Sequence, residues 1–184
     1  MSIYTVGHST RPIDNFLALL ARDGVRQIAD VRLLPGSRRH PQYDRESLAA
    51  ALLAQGIGYV HCPSLGGRRK PRADSENNGW RNASFRGYAD HMETDEFRSA
   101  LDDLRALARR TSTAVMCAEA VPWRCHRTLV ADALIVLGED VRHILDGGTR
   151  SATLTSFAKI DGGRLRYPVQ RAAFTAAPDL FDAR

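Results

Sequence analysis

The sequence predicts a single α/β domain: a mostly parallel, five-stranded sheet with helices on both faces and a small C-terminal hairpin. Three observations predict it. Short β-type apolar runs alternate with amphipathic runs of helical period from the N-terminus to about residue 145. Three of the helical runs close on a glycine, at Gly24, Gly56 and Gly138. No repeat and no linker interrupts the alternation, and 184 residues suit one domain. Alternation of this kind makes the strands parallel, with right-handed crossovers.

The elements follow in order. "SIYTV" is a first strand that stops at Gly7-His8. "RPIDNFLALLARDG" is a helix, with Pro12 in its first turn and Ile13, Phe16, Leu17 and Leu20 on one face. "VRQIADVR" is the second strand, and the basic turn "LLPGSRRHPQY" follows it. Asp44 caps a helix that runs to about Gln55, and "IGYVHC" is the third strand. Pro63 to Ser84 is the longest irregular stretch, of a length that is usually functional or disordered. "FRGYADHM" makes a short helix. "TDEFRSALDDLRALARR" makes a longer one, capped by Thr94, with Phe97, Leu101, Leu104 and Ala108 inward. "STAVMCA" is the fourth strand, "PWRCHRTLVADALIVLG" a helix and "DVRHIL" the fifth strand. "FAKIDGGRLRYPV" is a hairpin turning at Asp161-Gly162. The domain spans residues 1–170, and 171–184 form a tail.

The composition narrows the function classes. No apolar run approaches the roughly 18 residues of a membrane helix. "MSIYTVGHST" has neither the basic nor the apolar region of a signal peptide. Three cysteines are too few for a disulfide framework, so a cytoplasmic location is expected. The net charge is +5, and Ser64 to Arg86 holds six basic residues against Asp74 and Glu76. A basic loop on a near-neutral body suggests an anionic partner, a nucleotide or nucleic acid, although a solubilising loop has the same composition.

Ligands of open α/β sheets sit outside the carboxyl ends of the strands. Those ends carry His8 and Ser9, Asp30 and Arg32, Tyr59 and His61, then Cys117 and Glu119. The junction "VMCAEAVPWRCHRTLVAD" is therefore one wall of a cleft. Its helix start, with Arg124, Cys125, His126 and Arg127, suits anion binding and a lowered thiol pKa. Glu119 is a candidate acid, base or nucleophile. His61 and Cys62 are read as core, and His40, His91 and His143 as surface or satisfied residues.

Spacing tests several motifs. Cys117 to Arg124 is C-x6-R, one residue longer than the phosphatase C-x5-R, and the loop lacks the glycines of a rhodanese loop. Cys117, Cys125 and His126 lack zinc-ligand spacing, and Cys125 and His126 would point about 100° apart on a helix, so no metal and no cofactor is expected. No Walker A loop, GxSxG elbow or GxGxxG fingerprint is present.

Together "YTVGHST", "ADVR", "LGGRR", "FRGYADHM" and "MCAEAVPWRCHR" resemble the bacterial family called domain of unknown function 488, from Ile3 to about Tyr167. The resemblance implies an α/β fold and supplies no reaction. It highlights His8, Ser9, Asp30, Arg32, Tyr59, Gly66, Gly67, Tyr88, Glu119, Cys125, His126 and Arg127. The leading expectation is an enzyme acting on a nucleotide or nucleic acid, at an N-glycosidic bond. Glu119 is its carboxylate and His8 the acid/base partner. Arg32, Arg127, Arg68, Arg69, Ser9, Tyr59 and His126 hold the phosphate, and Trp80 or Tyr88 stacks on a base. The alternatives are a thiol enzyme using Cys125 or Cys117 and a non-catalytic nucleic-acid-binding module.

Overall fold

A computed structural model of the chain describes residues 2–36 and 38–169; the expected 171–184 tail lies outside these residues. The five expected strands are β1 (Ile3–Gly7), β2 (Gln27–Asp30), β3 (Gly58–His61), β4 (Thr113–Cys117) and β5 (Val141–Leu145). They pair in parallel in the order β3-β2-β4-β1-β5. A sixth strand, β6 (Gly148–Ser151), was not expected; it turns back antiparallel onto β5 and forms the sheet edge. The expected hairpin is β7 (Lys159–Asp161) and β8 (Arg164–Arg166). Its turn lies one residue later than expected, at Gly162-Gly163, where both φ angles are positive (53° and 77°), the backbone that glycine favours.

The helices are α1 (Ile13–Arg22), α2 (Arg45–Ala54), α3 (Ala83–His91), α4 (Asp95–Ala108) and α5 (Arg127–Val136). They divide between the two sheet faces by which side chains they bury. Phe16 and Leu20 of α1 and Leu48 and Leu52 of α2 pack with Val6, Ile28, Ala114 and Met116. Tyr88 of α3, Leu101 and Leu104 of α4 and Leu129 and Val130 of α5 pack with Ile3, Ala29 and Val115 on the other face. Alternate residues of one strand thus enter opposite cores, as the strand period requires. Thr94 accepts the Phe97 amide at 3.2 Å and starts α4.

This connectivity creates a switch point. From β1 the chain crosses to β2 on one side of the sheet, and from the adjacent β4 it crosses to β5 on the other. Adjacent strands whose connections leave in opposite directions open a crevice at their carboxyl ends.

Candidate active site

In that crevice β1 and β4 end side by side. Gly7 is in register with Cys117. The pairing continues past the strands, with the His8 amide donating to the Cys117 carbonyl at 3.0 Å and the Ser9 amide to the Ala118 carbonyl at 2.8 Å. A Cβ on Gly7 would lie 1.7 Å from the Glu119 carbonyl oxygen, so the loop can pass only over a glycine. Arg127 secures the same loop from behind. It is fully buried, and its guanidinium donates to the Glu119 carbonyl and, at 2.8 Å, to the Ala120 carbonyl. Arg127 therefore has no surface to offer a phosphate.

The helix begins later than expected, which explains this. Pro122–Arg124 is a 3₁₀ turn, Cys125 is extended (φ −135°, ψ 144°), and α5 starts at Arg127. A residue expected to face outward from the helix start is turned into the scaffold.

Arg32 is also committed. It is buried and grips Asp30, Nε to Oδ1 at 2.9 Å and Nη2 to Oδ2 at 2.6 Å, and it donates to the Tyr43 carbonyl at 2.8 Å. Although burial works the other way, the Asp30 carboxylate raises the Arg32 pKa further. Tyr59 completes the group by donating to Asp30 Oδ2 at 2.7 Å. Its expected phosphate contact is thus replaced by a carboxylate contact.

His8 stacks on Tyr43 with ring centroids 4.0 Å apart. Its Nδ1 lies 2.8 Å from the Ser9 carbonyl, an acceptor only, so Nδ1 carries the proton. Nε2 then accepts from Arg32 Nη1 at 3.3 Å. Burial lowers its pKa to about 4. The ring is neutral near pH 7, with its one proton on Nδ1 engaged by the Ser9 carbonyl.

The cleft has a volume of about 800 Å³. Arg68, Glu119 and Arg124 line it, all three exposed. Their side chains make no hydrogen bond or ion pair among the described residues. Of the expected basic pair, Arg68 (φ 63°) reaches the cleft, while Arg69 donates to the Gly66 carbonyl at 3.1 Å and faces Glu96. Ser9 lines the cleft with its backbone in the left-handed region (φ 52°).

The expected stacking platforms are occupied. Tyr88 is fully buried and donates to the Leu65 carbonyl at 2.7 Å. Trp80 packs against Phe85, Phe157 and Tyr167. Phe85, half-buried, lines the cleft, and Trp123, 65% exposed, adjoins Arg124 in sequence. Its neighbours in the sequence signalled it; only the assumption that it began a helix concealed it.

A family model, domain of unknown function DUF488, matches residues 12–134. The chain belongs to the DUF488 family. No curated protein and no solved structure matches it. The DUF488 match covers Arg32, Arg68 and the whole 117–127 junction, and it is narrower than the resemblance from Ile3 to about Tyr167. His8 and Ser9 lie outside it.

In this DUF488 chain the floor of the cleft holds Cys117, Cys125 and His126. Contrary to what their spacing predicts, the fold brings the ligand atoms of these three residues within 4.8 Å of one another. His126 Nδ1 lies 3.8 Å from Cys125 Sγ and 4.0 Å from Cys117 Sγ. The helical 100° separation does not apply, because Cys125 is extended. The two thiols are unequal: hydrogen bonding between them, with Cys117 as donor, lowers Cys125 to about 7 against burial and raises Cys117 well above the usual thiol value.

Proposed function

We propose that the chain is an enzyme acting on a phosphate-bearing substrate, a nucleotide or nucleic acid, in the cleft between the ends of β1 and β4. One observation carries this reading: Arg68, Arg124 and Glu119 line the cleft with side chains that make no hydrogen bond or ion pair among the described residues. Arginine grips phosphate with paired hydrogen bonds. Trp123, exposed and adjacent to Arg124 in sequence, is the proposed π-face for a base. Arg68 and Arg124 replace Arg32 and Arg127 as the phosphate ligands.

Glu119 is the catalytic carboxylate. With His8 held neutral, the chemistry falls to a single carboxylate that stabilises an oxocarbenium-like centre or bonds to it. This fits transfer or hydrolysis at an N-glycosidic bond. All three cysteines are free, which suits a reducing cytoplasm. No helix among the described residues is long and apolar enough to cross a membrane.

The test is thermal stability at fixed salt against nucleosides, nucleotides, short DNA and RNA, and inorganic phosphate. A ligand that binds only the folded chain raises the melting temperature. A nucleotide shift is expected, lost in Arg124→Ala and reduced in Arg68→Ala. Trp123→Ala should weaken the nucleotide shift and leave any phosphate shift intact. Glu119→Gln should keep binding and lower turnover about 100-fold or more. Turnover indifferent to Glu119→Gln but lost in Cys125→Ser would transfer the chemistry to the thiols. Salt-dependent nucleic-acid binding with no turnover of any substrate would leave a binding module.

A further inference from the structure

We infer that Cys117, Cys125 and His126 form a binding site for one thiophilic divalent cation of the zinc class, with its fourth coordination position open to the cleft. The inference goes beyond the proposed activity and stands without it.

The separations of the three ligand atoms are close to those a single tetrahedral cation requires. Zn–S bonds of about 2.3 Å and Zn–N bonds of about 2.0 Å at tetrahedral angles place sulfur and nitrogen roughly 3.6 Å apart. The two S–N separations here are 3.8 and 4.0 Å. All three ligand atoms come from one junction, two from residues adjacent in sequence, so no domain movement is needed to gather them.

The histidine ring is held in place by more than its own loop. A Cβ on Gly67 would lie 2.7 Å from His126 Nδ1 and 3.1 Å from its Cγ, so the long loop closes onto the ring only through a glycine. Tyr88 packs on the ring at 4.9 Å. Without a cation, Nδ1 faces only sulfur at long distance, and buried Nε2 has no hydrogen-bond partner among the described residues. A cation on Nδ1 relieves the first of these deficits.

Ligand chemistry decides the class of ion. Two sulfurs and an imidazole suit zinc and exclude the hard, oxygen-seeking magnesium and calcium. Two thiolates balance a divalent charge, which a buried floor favours. Three protein ligands with a position left open is the arrangement of catalytic zinc sites, and Glu119 lines the cleft into which that position opens. Binding takes both sulfurs as thiolates, releases to solvent whatever protons they still carry, and changes no oxidation state.

The experiment is titration of the reduced, full-length chain with cobalt(II), a spectroscopic substitute for zinc. One equivalent should produce tetrahedral visible bands and thiolate-to-cobalt charge transfer, and one equivalent of zinc should displace them. Cys117→Ser, Cys125→Ser and His126→Ala should each lose or alter the spectrum, and Cys62→Ser should keep it. In the wild-type chain, which needs no variant to fold, the metal should slow alkylation of Cys117 and Cys125 at least 10-fold. Absence of thiolate-to-cobalt absorption, or equal alkylation with and without metal, would overturn the inference; so would an unchanged spectrum in Cys117→Ser. Arg124→Ala and Glu119→Gln should bind cobalt normally, so failure of the phosphate reading and failure of this one are separable.

Discussion

At position 7 a methyl group would collide with the Glu119 carbonyl, and the collision is with backbone that Arg127 also holds. Gly7→Ala should therefore cost stability near the upper end of the ~1–3 kcal/mol range for overpacking. Arg127→Met leaves the Glu119 and Ala120 carbonyls without their donor and should cost roughly 2–4 kcal/mol. Urea denaturation measures both, and a neutral Arg127→Met would show that the loop does not depend on it. Residue identity alone could mark Arg127 as charged and near a strand end. It could not show which way the side chain turns, because that depends on where α5 begins. The place of Glu119 at the cleft was legible because it closely follows the end of β4. The convergence of His126 with two sulfurs was not, because it depends on one extended residue inside an assumed helix.

Among the elements, the long segment between β3 and α3 is fastened from α3. Asp90 accepts the Arg72 amide at 2.8 Å, the Ser75 hydroxyl at 2.6 Å and the Asn77 side-chain amide at 2.9 Å. Asn77 in turn accepts the Tyr167 amide at 3.0 Å, beyond the hairpin. Burial opposes ionisation of Asp90, but the Ser75 and Asn77 donors outweigh it and lower its pKa. The fastening is thus present at neutral pH and is lost as pH falls below the ordinary carboxylate value of 3.8. Asp90→Ala should cost on the order of 2–3 kcal/mol and speed tryptic cutting at Arg68 to Arg72, which limited proteolysis would detect. Helices and parallel strands were readable because period, caps and closing glycines are local signals. The loop's order was not, because its partners are distant in sequence. β6 escaped for another reason: its four residues, GTRS, carry no apolar alternation and lie at an edge.

Across the whole molecule, stability should follow pH through buried His8 and half-buried His143. His8 and His143 both have folded pKa values lowered by burial from 6.5 to about 4. Between these values the unfolded chain binds more protons, so stability rises with pH across that window and falls as pH drops through it. For His8 the change is on the order of 2 kcal/mol between pH 7 and pH 5. Asp132, raised by burial, works in the opposite direction. His8→Gln should flatten the slope of urea-derived stability over this range, and an unchanged slope would remove His8 as its source. The two walls of the cleft differ in how they are made. One is strand-end backbone tied by β1, β4 and Arg127; the other is the Asp90-fastened segment that carries Arg68. Under the proposed function, exchanging residues 68–82 between relatives should alter only what Arg68 contributes to ligand binding and leave Arg124 and Glu119 in place on the other wall.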